Sequence, residues 1–376
     1  MKELIQLRQE LHQHPEVSGN ESKTAQRILD FLSKYKPNQV ITNLGGKGIL
    51  AIYKGKEDGK SVLFRCELDA LPIQEINSFD YKSLYERVSH KCGHDGHMAI
   101  LCGMAKTLHE NPLKKGTVML LFQPAEEDGN GAKRVLNDSN FDAIKPDFAF
   151  ALHNLPGFKK HQIIVKENTF TCAVNSMIIQ LNGKTSHAGE PENGINPALA
   201  IAEIIQVFNS KINTDVSSKK YCLITPIHIN MGEKAYGVSA GYGEVHFTVR
   251  SNSNAQMRNI ESNLEENVNE IASKFNLKTK IDWTESFQAN ENNSEAVNFI
   301  RKSASSLNLD ILEKEQPFTF GEDFGIFTQN FKGAMLGLGS GENTPSLHNP
   351  DYDFPDEIIE TGINLFHQIT KEILNA

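Results

Sequence analysis

Two short stretches of this 376-residue chain crowd together side chains that bind metals and move protons. The first is HKCGHDGH at 90–97, which sets Cys92 and His94 two residues apart. Thiolate and imidazole are soft and borderline donors, suited to zinc, manganese or cobalt. Gly93 and Gly96 allow the sharp backbone needed to turn both donors onto one ion. Histidines gathered by chance in a loop are the competing reading. The second stretch is FQPAEEDGNGA at 122–132, with the adjacent carboxylates Glu126 and Glu127. Neighbouring side chains point apart, so one carboxylate can bind a metal while the other faces a metal-bound water as general base. A solvated acidic loop is the bland alternative. Three weaker pieces complete the set: Asp69 in ELDALP, His153 in ALHNLPG and His348 in PSLHNPDYDFPDE. Each alone reads more simply as a turn-capping or structural residue.

The weight of these pieces comes from what precedes them. Apolar, strand-like runs at 61–68, 116–123 and 147–153 lead into Asp69, the glutamate pair and His153. Strand ends followed by polar clusters are where α/β proteins place their sites. A further strand is expected at 48–53, and a helix at 98–110 follows the Cys92 cluster. Short apolar strands separated by helical segments predict a largely parallel, helix-covered sheet.

The middle of the chain has another rhythm. Strand-like runs fall at 174–183, 221–230, 243–251 and 277–285, and amphipathic helical runs at 196–212 and 254–275. That order, β-α-β-β-α-β, is the split βαβ pattern of a ferredoxin-like domain. The α/β pattern resumes after about 290 and closes with a helix at 356–374. The expected fold class is therefore α/β: a catalytic domain built from 1–171 and 287–376, with an α+β domain inserted at 172–286.

Composition narrows the function. With 39% hydrophobic and 23% charged residues the chain is ordinary globular material, long enough for two cores. A formal net charge of -9 and no dense basic run argue against nucleic acid and against an anionic membrane surface. The amphipathic N-terminal stretch lacks the apolar core of a secretory signal, and no run approaches the roughly 20 apolar residues of a membrane span. The expected compartment is the cytoplasm. The five cysteines, Cys66, Cys92, Cys102, Cys172 and Cys222, are an odd and scattered set that does not read as a disulfide framework; all but Cys92 read as buried free thiols.

Taken in order, DALPIQE, HKCGHDGHM, FQPAEE, ALHNLPG, GKTSHAGEP, GEDFG and LHNPDYDFPDE resemble the bimetallic amidohydrolases of peptidase family M20. The likeness is to the branch of N-acyl-amino-acid amidohydrolases, hippurate hydrolase and the indoleacetyl-amino-acid hydrolases, and it runs over nearly the whole chain. It implies a zinc-exopeptidase-like catalytic domain, a ferredoxin-like lid and dimerisation domain, and two divalent ions (zinc, manganese or cobalt). By motif, it implies that Cys92, His94, Glu127, His153 and His348 are ligands and Glu126 the general base. Asp69 would orient a ligand without touching the metal. How the five ligands divide between two ions stays open. His187 in GKTSHAGEP matches a histidine that stabilises the oxyanion across a dimer interface, so a homodimer through the inserted domain is implied. Arg250 is a weaker candidate for a substrate carboxylate, with a solvated strand-end arginine as its rival.

Two departures stand out. Relatives carry Asn, Pro and Asp where this chain has Gly237, Ala240 and Gly241, and the segment 77–91 differs from the usual small-residue version. The expected activity is hydrolysis of the amide of an N-acyl amino acid. A dipeptidase or aminopeptidase with the same centre is the alternative, and a non-catalytic metal-binding homologue the rival of another class.

Overall fold

Strands Lys115–Gln123, Phe148–Pro156 and Gly333–Gly341 carry mostly apolar residues because they are buried almost throughout, and Glu57–Glu67 is buried only from Val62 onward. Phe64, Leu120, Phe122, Phe150 and Leu336 are fully buried in one continuous core. The computed structural model describes residues 1–374, and the chain forms two compact units. The first comprises Met1–Phe170, Asn290–Glu315 and Asp323–Ala376; the second comprises Thr171–Ala289 and Gln316–Glu322.

The first unit holds an eight-stranded sheet. Its order is Gln39–Leu44, Gly48–Lys54, Lys115–Gln123, Glu57–Glu67, Phe148–Pro156, Gly333–Gly341, Ile163–Val165 and Ile311–Glu313. The four long central strands run parallel, so their C-terminal ends share one edge. Gln39–Leu44 and Gly48–Lys54 join antiparallel on one side, and Ile163–Val165 pairs antiparallel with Gly333–Gly341 on the other. The sheet is thus mostly parallel with antiparallel pairs towards both edges. Helices Lys2–Gln13, Ser22–Lys34, His94–Glu110 and Ile359–Leu374 bury Leu4, Ile28, Leu101, Phe366 and their neighbours in the same core.

The second unit follows the split βαβ order. Strands Ala173–Asn182, Leu223–Met231, Tyr242–Ser251 and Lys278–Phe287 form an antiparallel sheet, with helices Ala198–Ser210 and Asn254–Lys274 between them in sequence. Burial alternates strictly along Tyr242–Ser251. Val245, Phe247 and Val249 pack with Ile204, Phe208 and Leu264, and a one-residue slip would turn that whole row outward. Ser253 starts the longer helix by accepting the Gln256 N–H at 3.1 Å. Among the described residues no helix is long and apolar enough to cross a membrane.

Candidate metal centre

Cys92 and His94 are set by a single reversal. Gly93 takes φ +92, a left-handed conformation, and a Cβ there would meet the Asn154 side chain at 2.5 Å. Only glycine satisfies both conditions. The helix then begins at His94, four residues before the apolar pattern shows it, because Gly93 ends the preceding loop abruptly. His94 and Asp95 thus lie in the first helical turn rather than in a loop.

His94 is oriented from behind. Its Nδ1 is 2.9 Å from the Asp69 backbone carbonyl and 3.6 Å from the Asp69 carboxylate. The Asp69 carboxylate also accepts the Ser18 hydroxyl at 2.7 Å and the Glu127 N–H at 3.0 Å. Burial pushes the Asp69 carboxyl up, but His94, Ser18 and the Glu127 N–H hold it below its ordinary value. Asp69 therefore holds both His94 and the glutamate turn, and it does so as much through its backbone as through its charge.

The glutamate pair sits three residues past strand Lys115–Gln123. Glu126 is buried and lies 3.4 Å from the backbone N–H of Asp323. His153 lies within strand Phe148–Pro156 and not at its end as the apolar run suggests, and its Nδ1 is 2.9 Å from the Asn154 carbonyl, which turns Nε2 towards Cys92 Sγ at 3.4 Å. His348, at φ +66, is fixed by its N–H to the Lys91 carbonyl at 2.8 Å and puts Nε2 3.4 Å from the same sulfur.

All six of these residues converge. Cys92, His94 and His153 form one group of donor atoms lying within 4.8 Å of one another; Cys92, Glu127 and His348 form a second; His94, Glu126 and Glu127 form a third. The donors fit a divalent cation. Burial holds His153 down to about 3 and lowers His348, so both rings are neutral and present a lone pair. Burial also favours a neutral His94, yet Asp69, Glu67 and Glu127 hold it up to about 10. That position attracts positive charge, and the buried Nε2 has no hydrogen-bond partner among the described residues.

Behind this layer lies a buried polar set that motif reading missed. His97 places Nδ1 2.6 Å from Glu67 and Nε2 2.6 Å from the Asn154 amide oxygen. Arg65 pairs with Glu67 and Asp323, and Gln123 donates to Asp323 at 2.8 Å. A second set braces the loop before Cys92. His12 bridges Asp95 at 2.8 Å and Glu75 at 3.0 Å, Arg8 binds Asp95 at 3.2 Å and Asp353 at 2.9 Å, and Lys91 binds Glu75, Asn77 and the Tyr352 carbonyl at 2.6–2.8 Å. Burial opposes a charged His12, but Asp95 and Glu75 raise it to about 9. Spacing offered no signal for these pairs, because the partners lie up to 345 residues apart.

Two candidates belong to the second unit. His187 pairs in a short ladder with Val238, and its Nδ1 accepts the Gly189 N–H at 3.0 Å. That bond places the ring proton on Nε2, so the exposed ring offers an N–H donor. Gly237 accepts the Ala188 N–H at 2.9 Å, so the altered segment runs beside His187, with open space where a Cβ would stand. Arg250 is half-buried and donates to the Thr319 carbonyl at 2.6 Å.

Residues 63–372 match the model of peptidase family M20/M25/M40. An N-acetylcysteine deacetylase of Bacillus subtilis is 28% identical, with 99% of this chain and 97% of the relative covered. An N-acetyldiaminopimelate deacetylase of Lactobacillus helveticus is 29% identical, over 96% and 95%. The crystal structure of a Bacillus subtilis protein described as a dinuclear metal binding peptidase from the M20 family superimposes with a TM-score of 0.85 at 26% identity, covering 100% of this chain and 98% of that one. The chain therefore belongs to peptidase family M20/M25/M40, a family of hydrolases.

Proposed function

We propose that this chain is a cytoplasmic, metal-dependent amidohydrolase that cleaves N-acyl amino acids. The observation that carries the reading is the pair of donor groups sharing Cys92, with Glu126 within 4.8 Å of two of the same donors. Cys92, His94 and His153 would hold one ion and Cys92, Glu127 and His348 the other, the ions being zinc, manganese or cobalt. When bound, the ions would supply Lewis acidity and lower the pKa of the attacking water. Glu126 takes a proton from the attacking water as its oxygen bonds to the amide carbon. It returns a proton to the nitrogen as the C–N bond breaks, leaving carboxylate and amine. Asp69 keeps His94 and the Glu127 backbone in place meanwhile. The Nε2–H of His187 is suited to hydrogen-bond the oxyanion, and Arg250 to meet the substrate carboxylate.

The deacetylase relatives support an N-acyl amino acid over a free peptide. The structural relative described as a peptidase keeps the dipeptidase reading in play. Both are separated by one panel. Metal-stripped protein is reloaded with zinc, manganese or cobalt and offered N-acetyl and N-benzoyl amino acids, the matching N-acyl amines and unblocked dipeptides. Hydrolysis of the N-acyl amino acids is expected with at least one metal. Turnover of dipeptides alone would establish the peptidase reading, and tight metal without turnover the non-catalytic one. Equal turnover of amines lacking the carboxylate would remove Arg250 from its role. The buried thiols of Cys66, Cys102, Cys172 and Cys222 suit a reducing compartment, and cell fractionation that finds the protein elsewhere would remove the cytoplasmic part.

A homodimer through the second unit goes with this reading. Strand Leu223–Met231 is a sheet edge, and it exposes Ile227, Ile229 and Met231. Such an edge is normally covered. Ile229→Lys is expected to shift the mass measured by light scattering from dimer to monomer and to cut turnover, because His187 of the second copy is lost. A wild-type mass equal to one chain would end the proposal.

A further inference from the structure

We propose that Glu21 is a positioning residue for the turn that carries Glu126 and Glu127, an inference that rests on their roles given above. Glu21 occupies the N-cap position of helix Ser22–Lys34, yet its side chain makes no capping bond. The cap is supplied by Glu16, which accepts the Thr24 N–H at 2.8 Å and the Thr24 hydroxyl at 3.0 Å. The Glu21 carboxylate is turned away and fully buried. One oxygen accepts the N–H of Gly19 at 2.7 Å and the N–H of Ala125 at 2.9 Å, the latter 104 residues away.

Ala125 is the residue that sets the direction of the pair. It sits at φ +55, in the left-handed region that a non-glycine residue keeps only when its surroundings hold it there. Both of its backbone groups are held: the N–H by Glu21, and the carbonyl by the Gly131 N–H at 2.8 Å. Gly131 must be glycine, since a Cβ there would meet the Pro124 carbonyl oxygen at 1.8 Å. On the other side of Glu126, the Glu127 N–H is held by Asp69, whose carboxylate is in turn held by Ser18. The segment from Ser18 to Glu21 thus grips the turn at both flanks, directly through Glu21 and through Asp69 by way of Ser18. Glu21 on the Ala125 N–H fixes the peptide plane that enters Ala125, the Gly131 N–H on the Ala125 carbonyl fixes the plane before Glu126, and Asp69 on the Glu127 N–H fixes the plane after it, and this lets adjacent glutamates face different tasks.

The arrangement is costly to the fold. The second Glu21 oxygen is buried with no hydrogen-bond partner among the described residues, and burial and the nearby Asp69 charge both raise its pKa. A brace serving stability alone would not leave a carboxylate half-satisfied.

The test compares three variants at saturating metal on a substrate the wild type hydrolyses. Glu21→Met fills the same space without an acceptor; it is expected to lower kcat by about 10–100-fold with KM little changed, the range for groups that orient a metal site from outside. Glu21→Gln keeps an amide oxygen for both N–H groups and is expected to stay within about threefold of wild type, since one carbonyl oxygen can accept both bonds. Glu16→Ala loses the helix cap, so its Tm falls while kcat is retained. Should Glu21→Met not fold, Glu21→Asp keeps the charge but stops one methylene short of Ala125, and the same loss is expected. Wild-type kcat in Glu21→Met, a Gln variant as slow as Met, or an equal kcat loss in Glu16→Ala would each overturn the proposal. A wild type without turnover on any substrate of the panel would instead overturn the functional reading on which it rests.

Discussion

Glu126→Gln should bind its metals as the wild type does and turn over about 10²–10⁴-fold more slowly, the usual contribution of a positioned general base. At 1.36 kcal/mol per decade this is roughly 3–5 kcal/mol of lost transition-state stabilisation. The substitution is nearly isosteric, and the Gln oxygen can keep the contact with the Asp323 N–H seen at 3.4 Å. What it removes is the capacity to take a proton from water and return it to nitrogen. The loss should fall on kcat and on kcat/KM alike, because the interaction is made in the transition state and not in substrate binding. Elemental analysis and steady-state kinetics on the same preparation decide the matter. Full metal with undiminished kcat would take Glu126 out of the mechanism; loss of metal would make it a ligand.

The elements that position these groups were legible to different degrees. Three of the four central parallel strands announce themselves as apolar runs, and the second unit is readable because its strands alternate with period two and its helices with period 3.6. Strand Gly333–Gly341 was hidden, because GAMLGLGSG carries too many glycines to read as β. Strand Gln39–Leu44 is exposed along most of its length and shows no apolar face. The apolar stripe of helix His94–Glu110 starts four residues after the helix does, since the first turn is polar residues of the site.

The site divides in the same way. Donor residues are legible because Cys, His and Glu are chemically distinctive, and the glutamate pair also follows a strand end. Their supports are not, because Glu21, Ser18, His12, Lys91 and Arg65 are residue types that usually face water. What makes them structural is partners such as Glu75 for Lys91 and Ala125 for Glu21, chosen by the fold and not by spacing. Asp69 shows the limit most clearly. Its motif suggests a role near the metals, but the carbonyl contact to His94 and the carboxylate contact to Glu127 are made by the fold and leave no mark in the spacing.

Cys92→Ala is the substitution expected to cost the centre most. The sulfur belongs to both proposed ligand groups, 3.4 Å from His153 Nε2 and 3.4 Å from His348 Nε2. Protein zinc sites with four ligands bind with about 10–16 kcal/mol, so one ligand is worth roughly 3 kcal/mol, or about 10²-fold in affinity. A ligand shared by two ions loses that amount at each. The joint effect is then about 10⁴-fold, and dialysed protein should hold far less than its two metals. The fold should survive, because the backbone around Cys92 is pinned independently by the three bonds of the Lys91 ammonium and by the His348 N–H on the Lys91 carbonyl. Cys102→Ala is the control: that thiol is equally buried but packed in the apolar core, where its removal changes stability and leaves metal content alone. Elemental analysis after dialysis against a weak chelator, with circular dichroism to monitor the fold, separates the outcomes. One ion retained at full strength in Cys92→Ala would assign the sulfur to the other ion alone; two retained ions would mean that the histidines and Glu127 build the centre without it.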